Sequence, residues 1–230
     1  MKTLPLLLII FAFGVTVSQS LVRNPSLFDS IFSIFVSDNE IHSETPALPK
    51  SLDPGPPPHE EAARMARYVT HHSDWAAMAT ISARNPIKGY PFANVFSVSD
   101  GPSMALSTGI PYMYLTPLEM SVHDIKENNQ ASLTMSLAQG KYCDQKQYDP
   151  EDPRCAHIIL TGTIQTVAHG TKEEAFAKDA LFSRHPEMTD WPKDHGWFFG
   201  KMDIENVLVL DFFGGAKTVP VEEYFKAKPF

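Results

Sequence analysis

Two runs decide the fold: Trp75-Ala76-Ala77-Met78-Ala79-Thr80-Ile81-Ser82-Ala83, and Pro91-Phe92-Ala93-Asn94-Val95-Phe96-Ser97-Val98-Ser99. In the second, Phe92, Asn94, Phe96 and Val98 alternate with Ala93, Val95 and Ser97. A period of two puts one set on a buried face and the other outside, which is a strand pattern. Asn85-Pro86 and Gly89 punctuate the segment between them as a turn.

Working outward, residues 60–71 place Ala62, Ala63, Met65, Ala66 and Val69 at helical spacing behind acidic residues that suit a helix N-terminus. Downstream, residues 111–116 predict a strand and 117–127 a helix opened by Pro117. Strands at 131–138 and 156–167 follow, then a helix at 173–183. Strands at 197–204 and 207–213 and a last turn at 221–225 close the set. Strands adjacent in sequence, with single helices between them, suit an α+β fold built on a closed antiparallel barrel with helices at its ends.

Composition narrows the function classes. The chain has 230 residues, 43% of them hydrophobic, enough for one cored domain and against global disorder. A net charge of −8 disfavours nucleic acid as a partner, and two cysteines exclude a disulfide-built miniprotein.

The N-terminus predicts export. Lys2 precedes an apolar run from Leu4 to Val17, and Ser18-Gln19-Ser20 offers small residues for cleavage, so residues 1–20 read as a signal peptide. Cleavage takes the net charge to −9 and leaves no apolar run long enough to span a membrane. Residues 21–58, with Pro46, Pro49, Pro54 and Pro56-Pro57-Pro58, read as a Pro-rich disordered tail, and the domain is expected over 59–230. In an oxidising compartment Cys143 and Cys155, flanking a polar loop, are expected to pair; free thiols, or ligands of a metal site that no neighbour completes, are the alternatives. Such a bridge is worth about 3 kcal/mol in the chain-entropy account. Export normally brings N-glycans, yet the chain has no Asn-x-Ser/Thr sequon, since Pro25 disqualifies Asn24-Pro25-Ser26.

Catalytic signatures are thin. Gly101-Pro102-Ser103-Met104-Ala105 lacks the second Gly of a nucleophile elbow and reads as a loop. His59-Glu60-Glu61 has no second His for a zinc protease motif. Gly214-Gly215 reads as a bend rather than a phosphate cradle. His71 and His72 cannot share a helix face, and His185 and His195 read as hydrogen-bonded structural groups rather than a metal pair. Trp75, Trp191, Trp197, Phe198 and Phe199 suit a core or a subunit interface better than a flat cofactor site. No catalytic residue and no metal ligand is assigned.

From about Glu60 to Tyr224 the chain resembles the CREG family, named as cellular repressors of genes stimulated by an adenoviral early protein. The resemblance is carried by Ser73-Asp74-Trp75, Ser97-Val98-Ser99-Asp100-Gly101-Pro102, Gly109-Ile110-Pro111-Tyr112, Arg184-His185-Pro186-Glu187-Met188, Trp197-Phe198-Phe199 and Asp211-Phe212-Phe213-Gly214-Gly215. Cys143 and Cys155 fall where the family has its pair. The resemblance implies a homodimeric FMN-binding split barrel related to pyridoxamine-phosphate oxidases, here in a sequon-free, invertebrate-type member. It also implies a secreted or endolysosomal protein that restrains growth and promotes differentiation without using flavin. Relatives reach lysosomes through mannose-6-phosphate on N-glycans, a route closed to a chain without sequons, so receptor binding is expected to be glycan-independent.

The residues can be asked about flavin directly. A dianionic phosphate wants Arg or Lys, and flavin-using split barrels supply them after the third strand. By alignment this chain offers His123 there, with Glu119 and Asp124 nearby. Thr116, Ser121 and His123 are therefore the candidates for a vestigial anion pocket, and no cofactor is expected. The competing readings are an FMN- or haem-dependent oxidoreductase on the same fold and a transcriptional corepressor. The acidic charge and the lack of a basic stretch count against the latter.

Overall fold

The computed structural model describes residues 54–230. The expected signal peptide, and all of the expected tail but residues 54–58, lie outside the described residues.

Seven antiparallel strands form one sheet: β1 (Trp75–Ile81), β2 (Pro91–Ser97), β3 (Tyr112–Leu115), β4 (Gln130–Ser136), β5 (His157–Thr166), β6 (Phe198–Leu210) and β7 (Lys217–Val219). Their order is β2-β1-β4-β5-β6-β3, with β7 paired to β6. Just beyond β2, Ser99 exchanges backbone hydrogen bonds of 3.2 and 2.9 Å with Tyr112 of β3, so the two ends of the sheet meet. This is the expected α+β split barrel. Among the described residues the α-helices are α1 (Ala62–His72), α2 (Met120–Glu127), α3 (Tyr142–Lys146), α4 (Lys172–Arg184) and α5 (Val221–Lys226).

The alternation read from the sequence fills the barrel. Met78, Phe96, Leu133, Met135, Ile158 and Leu160 are all buried within one cluster, each contributing about 1.5–3 kcal/mol of apolar burial. A smaller cluster of Tyr112, Val167, Ala177, Leu181, Met188 and Phe199 lies under α4.

Helix α1 is buried over 65–71, more completely than its apolar stripe predicts. The cause is α5: Arg67 donates to the carbonyl of Ala227 at 2.9 Å, and the Tyr224 hydroxyl lies 3.0 Å from Thr70 Oγ1 and donates to the Gly109 carbonyl at 2.6 Å. The helix begins at Ala62, so Glu60 and Glu61 precede its first turn rather than forming it. Likewise α2 begins at Met120 rather than Pro117, because Thr116–Glu119 closes a separate turn with Glu119 N–H bonded to the Thr116 carbonyl at 3.1 Å.

The two strands expected at 197–204 and 207–213 are one 13-residue strand, β6. Asp203 and Glu205 sit exposed on its outer face, and Glu205, expected in the break between the two strands, lies within β6. Thr161 pairs with Asn206 but Gly162 with Ile204, so Glu205 is an extra, bulged residue. The bulge shifts the inward phase, and Ile204 and Val207 both point into the core. Neither β7 nor the short helix α3 follows from an apolar period.

Cys143 and Cys155 are bonded to each other, with Cα atoms 5.5 Å apart, and both are buried. The bond ties α3 to the entrance of β5.

Candidate functional site

The three residues expected to form an anion pocket lie along the passage from β3 into α2, but each is differently engaged. Thr116 is buried; its hydroxyl donates to the His195 carbonyl at 2.6 Å and accepts the Leu118 N–H at 3.2 Å. Ser121 is fully buried, and its hydroxyl has no hydrogen-bond partner. His123 is exposed, and its Nε2–H donates to the Pro117 carbonyl at 2.8 Å.

The two nearby carboxylates part ways. Burial pushes the Glu119 carboxyl up to about 7, against the opposing effect of a backbone hydrogen bond from Thr116. Asp124 is turned away, fully buried, and accepts the Thr80 hydroxyl and the Ala83 N–H, each at 2.9 Å. It fastens α2 to the end of β1.

Sequence reasoning missed the cations. A cleft of about 610 Å³ between the β1–β2 turn and α2 is lined by Arg84, Lys88, His123 and Lys126 together with Glu127. Arg84 and Lys88 come from a turn far from α2 in sequence, and only the pairing of β1 with β2 and the anchor at Asp124 bring the two together.

Beside Thr116 the aromatic residues gather around Tyr114. Trp197 stacks on it at 4.9 Å between ring centroids, Phe182 meets it edge-on at 5.3 Å, and Phe199 lies at 5.0 Å. Trp191 packs on Trp197 at 4.9 Å. Burial raises the Tyr114 hydroxyl above its ordinary value. Of the five aromatic residues singled out from the sequence, these observations unite Trp191, Trp197 and Phe199. Trp75 is 40% exposed on β1, and Phe198 packs against the barrel core.

The histidines find separate partners. His72 Nδ1 lies 2.9 Å from the Tyr68 carbonyl, His185 Nε2 lies 3.2 Å from the Val98 carbonyl, and His195 stacks on Trp197. His71 Nδ1 is 2.7 Å from Asp100 Oδ1, and both side chains are buried. Asp100 also accepts the Ser107 hydroxyl at 2.5 Å and the Gly109 N–H at 3.0 Å. Burial alone would raise its carboxyl, but the His71 hydrogen bond and charge, with Ser107 and Gly109, outweigh it and hold the group below the ordinary carboxylate range. Because the Ser107 hydroxyl points to the carboxylate and not to the imidazole, the three do not make an activated nucleophile. Among the described residues, no group of three or more His, Cys, Asp or Glu is placed to hold a metal ion.

Ser103 stands in a loop before a 3₁₀ turn (Met104–Leu106), not at a strand-to-helix elbow. Gly214 and Gly215 both have positive φ, as a tight bend requires.

Known proteins resemble this arrangement. A family profile described as CREG, beta-barrel matches residues 57–226. The chain is 56% identical over 174 residues to Protein CREG1 of Gallus gallus, spanning 75% of this chain and 90% of that protein. It is 53% identical over 169 residues to Protein CREG1 of Homo sapiens, spanning 74% and 76%. Among solved structures, a heme binding protein from Mycobacterium smegmatis superposes with a TM-score of 0.59 at 16% identity, over 73% of this chain and 61% of that one. That likeness concerns the fold alone. Profile, relatives and barrel agree, and the chain belongs to the CREG beta-barrel family.

Proposed function

We propose that the chain acts as a secreted and endolysosomal, non-enzymatic homodimer that works by binding proteins in the control of cell growth and differentiation. On this reading residues 1–20 are removed on export, 21–58 form a tail, and 59–230 are the working domain. The observation that carries it is the state of Thr116: its hydroxyl, a natural ligand for a flavin phosphate, is bonded to the carbonyl of His195. Around it, Ser121 is sealed from solvent, a carboxyl lies close by at Glu119, and Trp197 stacks over Tyr114. These residues are a poor match for a flavin phosphate, whose charge calls for cations and free donors.

Homodimerisation is supported by the edge of the sheet. β2 pairs with β1 on one side only and exposes Val95, with Tyr90 just before it, and such an edge calls for a cover. Recognition through the protein surface is supported by the lack of any sequon. No helix among the described residues is long and apolar enough to cross a membrane.

The test is purification of the secreted protein followed by absorption spectroscopy, titration with FMN and with hemin, and light scattering. The expected outcome is a colourless dimer that gains neither chromophore at micromolar concentration. A stoichiometric flavin spectrum that inorganic phosphate does not compete away, or a stoichiometric haem spectrum, would overturn the non-enzymatic reading, and a monomer at micromolar concentration would overturn the dimer.

A further inference from the structure

We propose that the cleft between the β1–β2 turn and α2 binds a phosphate-class oxyanion, as inorganic phosphate or as a phosphate monoester, through Arg84, Lys88 and Lys126. Of the three residues expected to form an anion pocket only His123 lines the cleft, while Thr116 and Ser121 do not, and the proposal does not rest on the reading above.

Charge is the first ground. The chain carries a net −8, yet this cleft gathers two lysines, an arginine and a histidine against the single carboxylate of Glu127. Lys88 and Lys126 are exposed and free to swing onto a ligand.

Arg84 is the second ground, and the stronger. Its Nε and Nη2 are shielded from solvent and have no hydrogen-bond partner. Its Nη1 meets only the thioether sulfur of Met120 at 2.6 Å, a weak acceptor. The nearest carboxylate oxygen, Asp124 Oδ1, is 3.8 Å from Nε and is already committed to the Ala83 N–H. The Arg84 side chain is still 30% exposed, so a rotation of the guanidinium brings these unmet donors to the cleft, where an oxyanion accepts two of them at once.

The third ground is that Arg84, and the backbone of the turn that carries it and Lys88, are held in place before any ligand arrives. The Arg84 guanidinium lies over the Phe92 ring at 5.2 Å. The turn is closed by Gly89 N–H to the Ser82 carbonyl at 2.7 Å, Ser82 N–H to the Tyr90 carbonyl at 2.9 Å, and Tyr90 N–H to the Ile87 carbonyl at 3.0 Å. Gly89 has φ of 83°, a conformation that glycine adopts without strain. At about 610 Å³ the cleft is larger than a bare phosphate requires, which leaves room for the organic part of a monoester.

The experiment is a titration of ¹⁵N-labelled protein, disulfide intact, with inorganic phosphate, with phenyl phosphate and with chloride at constant ionic strength. Saturable amide shifts confined to residues 81–89 and 123–128, absent with chloride, are expected. Arg84→Gln, and separately the surface pair Lys88→Gln with Lys126→Gln, should weaken phosphate binding at least about tenfold. Shifts that chloride reproduces, or phosphate affinity unchanged in the lysine pair, which leaves the buried packing intact, would overturn the proposal. Sedimentation with phosphatidylcholine vesicles, with and without phosphatidic acid, separates the sources. Arg84-dependent capture by the phosphatidic acid vesicles assigns a lipid headgroup, and phosphate shifts without capture assign a soluble phosphate.

Discussion

The Thr116 hydroxyl donates a 2.6 Å hydrogen bond to the carbonyl of His195 while accepting the Leu118 N–H at 3.2 Å. One buried side chain thus closes the turn before α2 and pins the segment that carries Trp191 and Trp197. Gly196, at φ of 64°, lets that segment pass close to the Pro117 ring.

Thr116→Val keeps the shape of the side chain and removes both bonds. It should cost about 1–3 kcal/mol, since the half-buried His195 carbonyl loses its donor and the Leu118 N–H its acceptor. The loss should be local as well as global. Hydrogen exchange at Leu118 and over residues 191–197 should quicken more than in β4 and β5. Uniform exchange with an unchanged Tm would show that the bond does not hold the segment.

Asp100 stabilises the fold by being ionised. Its folded carboxyl lies below the ordinary value, so its contribution is fully present above the unfolded value and is lost as pH falls through the folded one. The contribution therefore survives mild acid and fades only in strong acid. Asp100→Asn should cost about 2–4 kcal/mol at neutral pH, because His71, Ser107 and Gly109 lose a shared charged acceptor. Denaturant midpoints for both proteins should converge as pH drops below the ordinary carboxylate range. A deficit that is independent of pH would mean the charge of Asp100 is irrelevant to stability.

Glu119 acts with the opposite sign. Its carboxyl is raised to about 7 by burial, so the folded state holds the proton more tightly than the unfolded state does. Stability then rises as pH falls from about 7 to the ordinary carboxylate value, and is lost on the way back up. Glu119→Gln should be more stable than the parent by about 1 kcal/mol above pH 7, a figure kept small because the residue is only half-buried. The two should become equal near pH 4. An unchanged difference across that range, followed by thermal unfolding, would contradict the assignment.

What was legible in the sequence was whatever depends on local period. Phe96 and Val98 alternate with Val95 and Ser97, and the buried and exposed positions of β2 follow that alternation at its C-terminal end. What was not legible depends on partners distant along the chain. Glu205 and Asn206 read as a break between two strands, yet the bulge opposite Gly162 absorbs Glu205 and keeps β6 whole. Arg67 sits on a helix that reads as amphipathic, and nothing local says that the carbonyls of Ser107 and Ala227 will surround its guanidinium. The candidate site divides in the same way. Thr116, Ser121 and His123 could be named together because they occupy one continuous segment that the family resemblance singles out. The cations at Arg84 and Lys88 were missed because their turn meets α2 only once Asp124 has bonded to Thr80 and Ala83.

Gly162 tests the account of the barrel most directly. A Cβ built there would lie 1.9 Å from the Asp203 carbonyl oxygen and 3.0 Å from the Glu205 nitrogen, both backbone atoms that cannot rotate aside. The glycine is thus required by the close approach of β6 at its bulge, not by a left-handed φ. Gly162→Ala should force β5 and β6 apart and cost about 3 kcal/mol or more, in the range of overpacked cores. Gly170→Ala meets no atom within 4 Å but has φ of 76°, so its cost should be about 1 kcal/mol of backbone strain. Gly140→Ala has neither problem, with its nearest neighbour at 3.8 Å, and should fall within about 0.5 kcal/mol of the parent. Urea unfolding of the three variants should give that order. If Gly162→Ala were as mild as Gly140→Ala, the bulge could not be what joins the two expected strands into one.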